Sequence, residues 1–164
     1  LEKRFQINDV IEVPGLAMGT VEEIGFRSTL IRKFDSTPIY IPNYVFSDTS
    51  IINFSERKLR RINWIIGLTY ETSTTQLKSI CSDIESSIKS NDSFTINNIY
   101  KLYVRVEKFN DSSIDVLVNT FTNTNDWEKY LKIKEDLAFL IKEIVEKNKS
   151  SFAFPSQSIY IEKN

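Results

Sequence analysis

Short apolar runs separated by turn residues fill the first third of the chain. Glycine and proline fall at the breaks, as in Pro14-Gly15 and at Pro42, which cannot donate a ladder hydrogen bond. Short strands at close spacing favour a small, tightly wound barrel over a broad sheet. The pattern predicts a small β-barrel over residues 1–61, with strands at Val10 to Val13, Gly19 to Ile24, Phe26 to Phe34, Ile39 to Ile41 and Ile51 to Phe54.

The second run requires an irregular strand. Val21 and Ile24 are an odd number of positions apart, so a regular pleat places them on opposite faces, and we expect a bulge near Gly25. Arg27 and Arg32 are also an odd number of positions apart, which argues against a single anion clamp. We expect these arginines to form salt bridges at a subunit interface, and an ordinary exposed strand is the open alternative.

The pattern changes after the charged segment 56–61. Apolar residues alternate from Ile62 to Leu68, and Ser73 with Gln76 predicts a capping box before a helix. Two alternating runs follow, with a turn at Asn110-Asp111 between them. A second helix is predicted with Asn125 as its cap and Glu128 in the box position, and its apolar stripe is Trp127, Tyr130, Leu131, Leu137, Ile141, Ile144 and Val145.

A last strand is predicted at Ser158 to Ile161, after Phe154-Pro155. Residues 62–164 therefore follow the order β-α-β-β-α-β, which is the ferredoxin-like arrangement of two helices on one face of an antiparallel sheet. The fold class is mixed β and α+β. The last strand either completes this sheet or pairs with its copies in neighbouring subunits.

Charge and composition exclude several classes of function. Residues 1–61 carry nine Lys and Arg against eight Asp and Glu, and residues 62–164 carry twelve against fourteen. Neither part has the basic excess of a nucleic-acid-binding protein. The chain has no histidine and one cysteine, Cys81, so histidine-dependent catalytic triads are excluded. Glu22 and Glu23 diverge on a strand and cannot act as an acid/base pair, and we expect no cofactor or metal site.

One basic cluster remains: Arg57, Lys58, Arg60 and Arg61. It is interpreted either as a contact for phosphates, lipid headgroups or permeating anions, or as a solvated linker whose charges pair with nearby acids. No apolar run approaches the roughly 18–20 residues that cross a bilayer, so the chain as given is expected to be soluble.

The first part contains a long ordered motif, made of Asn8-Asp9, the run Gly19 to Arg32, Ile41-Pro42-Asn43 and Ile52 to Ser55. In this motif the chain closely resembles the small-conductance mechanosensitive channel family. The family usually has glycine at the position of Asn8 and often serine at that of Tyr44. The motif residues, to which we assign an architectural role, are Asp9, Gly15, Gly19, Val21, Ile24, Arg27, Thr29, Arg32, Pro42, Asn43 and Asn53.

The resemblance implies an Sm-like barrel that joins its copies in a ring under the membrane, and a second domain that forms the wall of a cytoplasmic vestibule. Family channels are typically heptamers, opened by bilayer tension through upstream transmembrane helices, and they release ions and small osmolytes on hypo-osmotic shock. The final strand would form an inter-subunit barrel from Pro155, Ser158, Ile159, Tyr160 and Ile161. The implied location is the cytoplasmic side of a bacterial-type inner membrane.

Two other classes of function compete with this hypothesis. Sm-like and ferredoxin-like folds both include RNA-binding proteins, although the acidic pI of 5.6 opposes that function. The segment from Tyr100 to Val106 also lacks the glycine and aromatic pattern of an RNA-recognition motif. A small hydrolase is the third hypothesis, and no histidine, paired carboxylates or phosphate-binding loop support it.

Overall fold

The computed structural model describes residues 4–155, and the chain divides into two compact units between Arg57 and Lys58. We call the residues before this boundary the β unit and those after it the α+β unit. The predicted strand at Ser158 to Ile161 lies outside the described residues. Between residues 4 and 155, no helix is both long and apolar enough to cross a membrane.

The β unit is an antiparallel sheet with one short helix. Its strands are β1 (Val10–Val13), β2 (Ala17–Ile24), β3 (Ser28–Lys33), β4 (Pro38–Pro42) and β5 (Ile52–Asn53), in the spatial order β4-β3-β2-β1-β5. Helix α1 (Val45–Asp48) separates β4 from β5 and was not predicted. The consecutive pairing of short strands fits the predicted small barrel.

Alternation along the strands builds the core of the β unit. In β1, Ile11 and Val13 are buried and their neighbours are not, as expected for a strand with one face on a core. Helix α1 contributes Phe46, whose ring centroid lies 5.0 Å from that of Phe5. The core consists of Ile11, Val13, Val21, Ile31, Ile41 and Phe46.

The predicted bulge exists but lies earlier than Gly25. The register between β2 and β3 shifts between Val21 and Glu23, so Glu22 is the extra residue. Val21 then pairs with Ile31 and Ile24 with Thr29, which places Val21 and Ile24 on one face. Gly25 instead belongs to the turn into β3, where its N–H donates to the Ser28 carbonyl at 2.9 Å.

The α+β unit contains β6 (Arg61–Leu68), α2 (Thr74–Lys89), β7 (Tyr103–Phe109), β8 (Ile114–Phe121) and α3 (Trp127–Lys147). Its sheet is antiparallel in the order β6-β8-β7. Phe152 bridges to Leu68 on the other edge of β6, and Ala153 N–H donates to Gly67 O at 2.9 Å. The described part of the unit confirms the predicted β-α-β-β-α order.

The two long helices begin at side-chain caps. The predicted capping box of α2 is confirmed: Ser73 N–H donates to Gln76 Oε1 at 2.8 Å, and Gln76 N–H donates to Ser73 Oγ at 3.3 Å. The predicted cap of α3 is wrong by one residue. Asp126, not Asn125, is the cap, and its Oδ1 accepts the Lys129 N–H at 2.8 Å. Both are good capping types, so residue preference alone did not separate them.

The apolar stripe of α3 is buried only in its later turns. Leu137, Ile141, Ile144 and Val145 belong to the core, as predicted. Trp127 is 55% exposed and Leu131 is 42% exposed, which contradicts their predicted core positions. Tyr130 in the first turn is partly buried against this core, so Trp127 and Leu131 lie at the margin of the contact and not inside it. The full core also includes Ile62, Leu68, Leu77, Ile80, Ile84, Ile88, Val104, Ile114, Val116 and Val118.

Candidate functional site

Asp9 and Asn53 form a polar cluster that ties the start of the β unit to its last strand. Asn53 Nδ2 donates to Asp9 Oδ2 at 2.8 Å, and the same carboxylate oxygen accepts the Gln6 N–H at 2.9 Å. Asp9 is 8% exposed, so these bonds satisfy a carboxylate that is largely removed from water. The two residues are 44 positions apart in sequence, and their contact therefore fixes the ends of the unit to each other.

The backbone around Asp9 explains one departure from the family pattern. Asn8 has φ of 75°, a left-handed conformation that glycine adopts freely and asparagine tolerates better than most residues. Its N–H donates to Val21 O, and Val21 N–H donates to Asp9 O, both at 2.8 Å. Asparagine therefore keeps the turn where the family usually has glycine.

Asn43 and Thr29 hold the turn between β2 and β3. Asn43 Nδ2 donates to Gly25 O at 2.9 Å and to Phe26 O at 3.3 Å, while its Oδ1 accepts from Thr29 Oγ1 at 2.9 Å. Its own N–H donates to Arg27 O at 3.0 Å. Asn43 follows Pro42 after β4, and most of its partners therefore lie on a different loop.

Arg32 pairs with Glu22 of the same chain. Its Nε and Nη2 donate to the two carboxylate oxygens at 2.6 and 3.0 Å, which is a bidentate pair. The hydrogen bond from Arg32 lowers the pKa of the Glu22 carboxyl. Glu22 was not predicted as the partner of Arg32. Thr20 is the residue directly opposite Arg32, and Glu22 lies two positions further along β2, at the bulge. The pairing of β2 with β3, which the sequence does not give, therefore decides that Glu22 is within reach of Arg32.

Arg27 occupies a different place from Arg32. It is exposed in the turn before β3, whereas Arg32 lies on that strand. Their expected contacts with a neighbouring subunit remain a prediction.

Two glycines are required by geometry. A Cβ at Gly19 would lie 2.2 Å from Arg32 O and 2.8 Å from its carbonyl carbon, far inside van der Waals contact. Glycine at this position therefore allows β2 to approach the backbone of β3. Gly15 has φ of 78° in the turn after β1.

The β unit exposes large apolar side chains around this framework. Phe26 is fully exposed at the turn held by Asn43, and Tyr44 is 71% exposed at the start of α1. On β4, an edge strand, Tyr40 is 66% exposed. Exposed aromatic residues on a rigid framework are typical of surfaces that contact other molecules.

Three residues of the basic cluster, Arg57, Arg60 and Arg61, make contacts within the chain. Arg60 Nε donates to Asn125 O at 2.8 Å, and its guanidinium lies 4.9 Å from the Trp127 ring centroid. Arg61 Nε donates to Asn119 Oδ1 at 2.5 Å. Arg57 donates to Phe54 O at 2.9 Å. These contacts fix the linker to its neighbours.

Across residues 4–155, no group of three or more His, Cys, Asp or Glu is placed to hold a metal ion. Cys81 is partly buried beside the core of the α+β unit, and burial raises the pKa of its thiol, which disfavours the reactive thiolate. The architectural role of the motif residues stays a prediction.

Family models match both units. Residues 1–56 match the mechanosensitive ion channel beta-domain, and residues 62–152 match the C-terminal domain of the mechanosensitive ion channel MscS. The chain belongs to the MscS family of mechanosensitive ion channels. The RNA-binding alternative is not favoured by this result, and the family is one of channels rather than enzymes.

Relatives extend over nearly all of this chain. An MscS family protein of Aquifex aeolicus is 44% identical over 99% of this chain and 44% of its own length. The low-conductance channel YnaI of Escherichia coli is 36% identical over 98% of this chain and 46% of its own length. The small-conductance channel MscMJ of Methanocaldococcus jannaschii is 36% identical over 100% and 45%, respectively. The chain spans less than half the length of these curated relatives.

Solved structures show the same fold at lower identity. Helicobacter pylori MscS in its closed state aligns with a TM-score of 0.77 at 23% identity, covering 98% of this chain and 60% of that one. Arabidopsis thaliana MSL1 aligns with a TM-score of 0.83 at 20% identity, covering 93% and 54%. Both therefore support the mixed β and α+β fold class.

Proposed function

We propose that this chain is the cytoplasmic part of a tension-gated ion channel in the inner membrane. The observation that carries the proposal is the consecutive match of both units to two domains of one channel family. The pore and the tension sensor would be transmembrane helices encoded upstream of Leu1. The channel would release ions and small osmolytes during hypo-osmotic shock.

Assembly into a ring of identical copies, seven in the intact channel, is the second element of the proposal. A β unit of under 60 residues buries only part of its surface by folding alone, so contacts between copies would add burial. The exposed Tyr40 on the edge strand β4 and the exposed Phe26 supply apolar area for such contacts. The motif residues would keep this surface in one geometry.

The last strand would extend the assembly. Pro155 ends the described residues, and Ser158, Ile159, Tyr160 and Ile161 lie outside them. We retain the proposal that this segment pairs with its copies in a small inter-subunit barrel. A Tyr160→Cys variant in a Cys81→Ser background carries one thiol per chain and should then form disulfide-linked dimers under mild oxidation. Exclusively monomeric chains on a denaturing gel would contradict it.

Weak ion selectivity is expected from this part of the channel. The net charge is -1, with +1 in residues 1–61 and -2 in residues 62–164, so neither part creates a strong overall field. Reversal potentials in salt gradients would test this. A strongly selective channel whose selectivity is lost on changing one exposed charge of this chain would contradict the expectation.

The deciding experiment uses the whole protein as its gene encodes it. Reconstituted in liposomes and patch-clamped, it should open under suction, and it should protect a channel-deficient bacterium from hypo-osmotic shock. Absence of tension-gated current from correctly inserted protein would overturn the proposal. Mass measurement of the 164-residue chain would test assembly separately, and we expect weak or incomplete rings without the membrane part.

A further inference from the structure

The α+β unit contains a groove that the core does not fill. It runs between helix α2 and strand β7 and encloses about 600 Å³. Its lining combines apolar side chains of β7, such as Val106 and Phe109, with polar residues along the exposed side of α2. Val106 is 40% exposed and Phe109 is 70% exposed, so this part of the groove presents apolar surface to solvent.

One wall of the groove is a free strand edge. Within residues 4–155, β7 pairs only with β8, so it is an edge strand of the sheet β6-β8-β7. In an antiparallel sheet, alternate residues of an edge strand direct their N–H and C=O groups away from the ladder. An extended peptide can satisfy such groups by adding as another strand, and a helix beside the edge then contacts its side chains.

Arg105 spans this edge. Side chains alternate along β7, and Val104 is fully buried on the helix side, so Arg105 begins on the other face of the sheet. Its guanidinium nevertheless reaches Glu85 of α2, with Nη1 2.7 Å from Oε2, and the same nitrogen donates to Val104 O at 2.7 Å. The side chain therefore wraps around the free edge and occupies a backbone acceptor there.

The charges around the groove indicate the chemistry of its ligand. Lys78, Lys89 and Arg105 line it against one acid, Glu85. Glu85 accepts from both Lys89 Nζ, at 2.6 Å, and Arg105, and these bonds lower the pKa of its carboxyl. One carboxylate shared between two cations, with Lys78 close by, leaves an excess of positive charge that complements an acidic partner.

We propose that the α2–β7 groove binds an extended acidic segment of a partner protein, which adds to β7 as a strand. Arg105 would move from Val104 O and Glu85 to a carboxylate of the incoming segment. Valine-sized side chains of the segment would pack on Val106 and Phe109. The test below measures peptide binding and not ion conduction, so either proposal can fail without the other.

The probe is the capped, fluorescein-labelled hexapeptide Glu-Glu-Val-Val-Glu-Glu, which has both residue types on each face of a strand, added to the 164-residue chain and followed by fluorescence polarisation. The same peptide with lysine in place of glutamate should bind at least tenfold more weakly. The double variant Lys78→Gln, Lys89→Gln should lose about fivefold in affinity. The matched control is Lys132→Gln, Lys142→Gln, which removes two lysines of α3 that also pair with acids, and it should bind as the parent does.

Two further peptides test whether the backbone is recognised. They carry N-methyl groups on alternate amides, one peptide on the odd and one on the even positions. A strand that adds to β7 uses only one of these sets, so one peptide should lose binding more than tenfold and the other should keep it. Hydrogen exchange should slow in residues 103–109 when the parent peptide binds, and unchanged exchange in β8 in all variants would show that the fold is intact.

Three outcomes would overturn the proposal. Equal binding of the acidic and basic peptides would remove the charge argument. Equal tolerance of both N-methylated peptides would exclude strand addition. No peptide binding, together with β7 protection that rises with chain concentration, would assign the edge to a contact between copies of this chain.

Discussion

The two units of this chain stabilise their strands in different ways. Among the described residues, the β unit has six buried apolar core residues and the α+β unit has fourteen. In the β unit, the Asn53–Asp9 contact joins the two ends of the unit, and two strands approach closely at Gly19. The α+β unit relies on two helices packed on a three-stranded sheet. Small units bury less surface, so single contacts matter more in them.

The largest difference in stability between the two units is expected when a glycine in each is replaced by alanine. Gly19→Ala places a methyl group 2.2 Å from the Arg32 carbonyl oxygen, and β2 and β3 must separate to accept it. We expect a loss of about 4 kcal/mol or more, enough to unfold the β unit. In the α+β unit, the Cβ of Gly67→Ala would meet the Ser113 Cβ at 3.2 Å, and a side chain can shift. Hydrogen exchange resolved along the chain should show loss of protection in β1 to β4 for the first variant only.

The next largest loss of stability is expected from making a cavity of the same size in each core. Ile31 and Ile84 are both fully buried, and each substitution Ile31→Ala and Ile84→Ala should cost about 3 kcal/mol. The loss should be a larger fraction of the stability of the β unit, because its core is smaller. Denaturant unfolding with a probe in each unit measures this. Equal fractional losses would show that core size does not separate the units.

Replacing a polar side chain in each unit should also destabilise the β unit more, although by less than the glycine and isoleucine substitutions. Asn53→Ala removes one of the donors to the nearly buried Asp9 carboxylate and should destabilise the β unit by about 2 kcal/mol. The control is Asn91→Ala in the α+β unit, where an exposed Asn91 Oδ1 accepts only the local Ser93 N–H. That change should cost about 0.5 kcal/mol or less. Comparable losses in thermal unfolding would contradict the special role of the Asp9–Asn53 cluster.

The smallest expected effect is a pH dependence that both units share. The hydrogen bond from Lys89, followed by that from Arg105, lowers the pKa of Glu85, and the bond from Arg32 lowers the pKa of Glu22. Each pair therefore stabilises the folded state above the ordinary glutamate pKa of about 4.3, and this stabilisation is lost as the pH falls through the lower folded-state pKa. Because both pairs are accessible to solvent, salt should weaken the effect.

Glu85→Gln and Glu22→Gln test this in turn. Each should flatten the stability of its own unit between about pH 5 and pH 3 and leave the other unit unchanged. Stability curves of the two variants that match the parent across this range would show that the pairs contribute nothing measurable.

Sequence reasoning found the elements with strong local signals. The capping box of Ser73 and Gln76 and the alternation from Ile62 to Leu68 were confirmed, because both depend on neighbours within a few positions. The cap of α3 was misplaced by one residue, since Asn125 and Asp126 both suit a cap. The four-residue helix α1 was missed because one turn has no periodicity to detect. Trp127 and Leu131 were wrongly placed in the core, since an apolar stripe does not show where its partner surface ends.

For the candidate site as well, the sequence determined some features and the tertiary structure decided others. The sequence by itself determined the family, the order of elements and the positions of motif residues such as Asp9, Asn43 and Asn53, because residue types and spacing carry that information. Only the tertiary structure decided their partners. The contacts of Asn53 with Asp9, of Asn43 with Gly25 and of Arg32 with Glu22 join separate segments. They depend on how the strands pair, and the bulge at Glu22 shifts the pairing of β2 with β3. Arg105 likewise crosses the edge of β7 because folding brings α2 beside it.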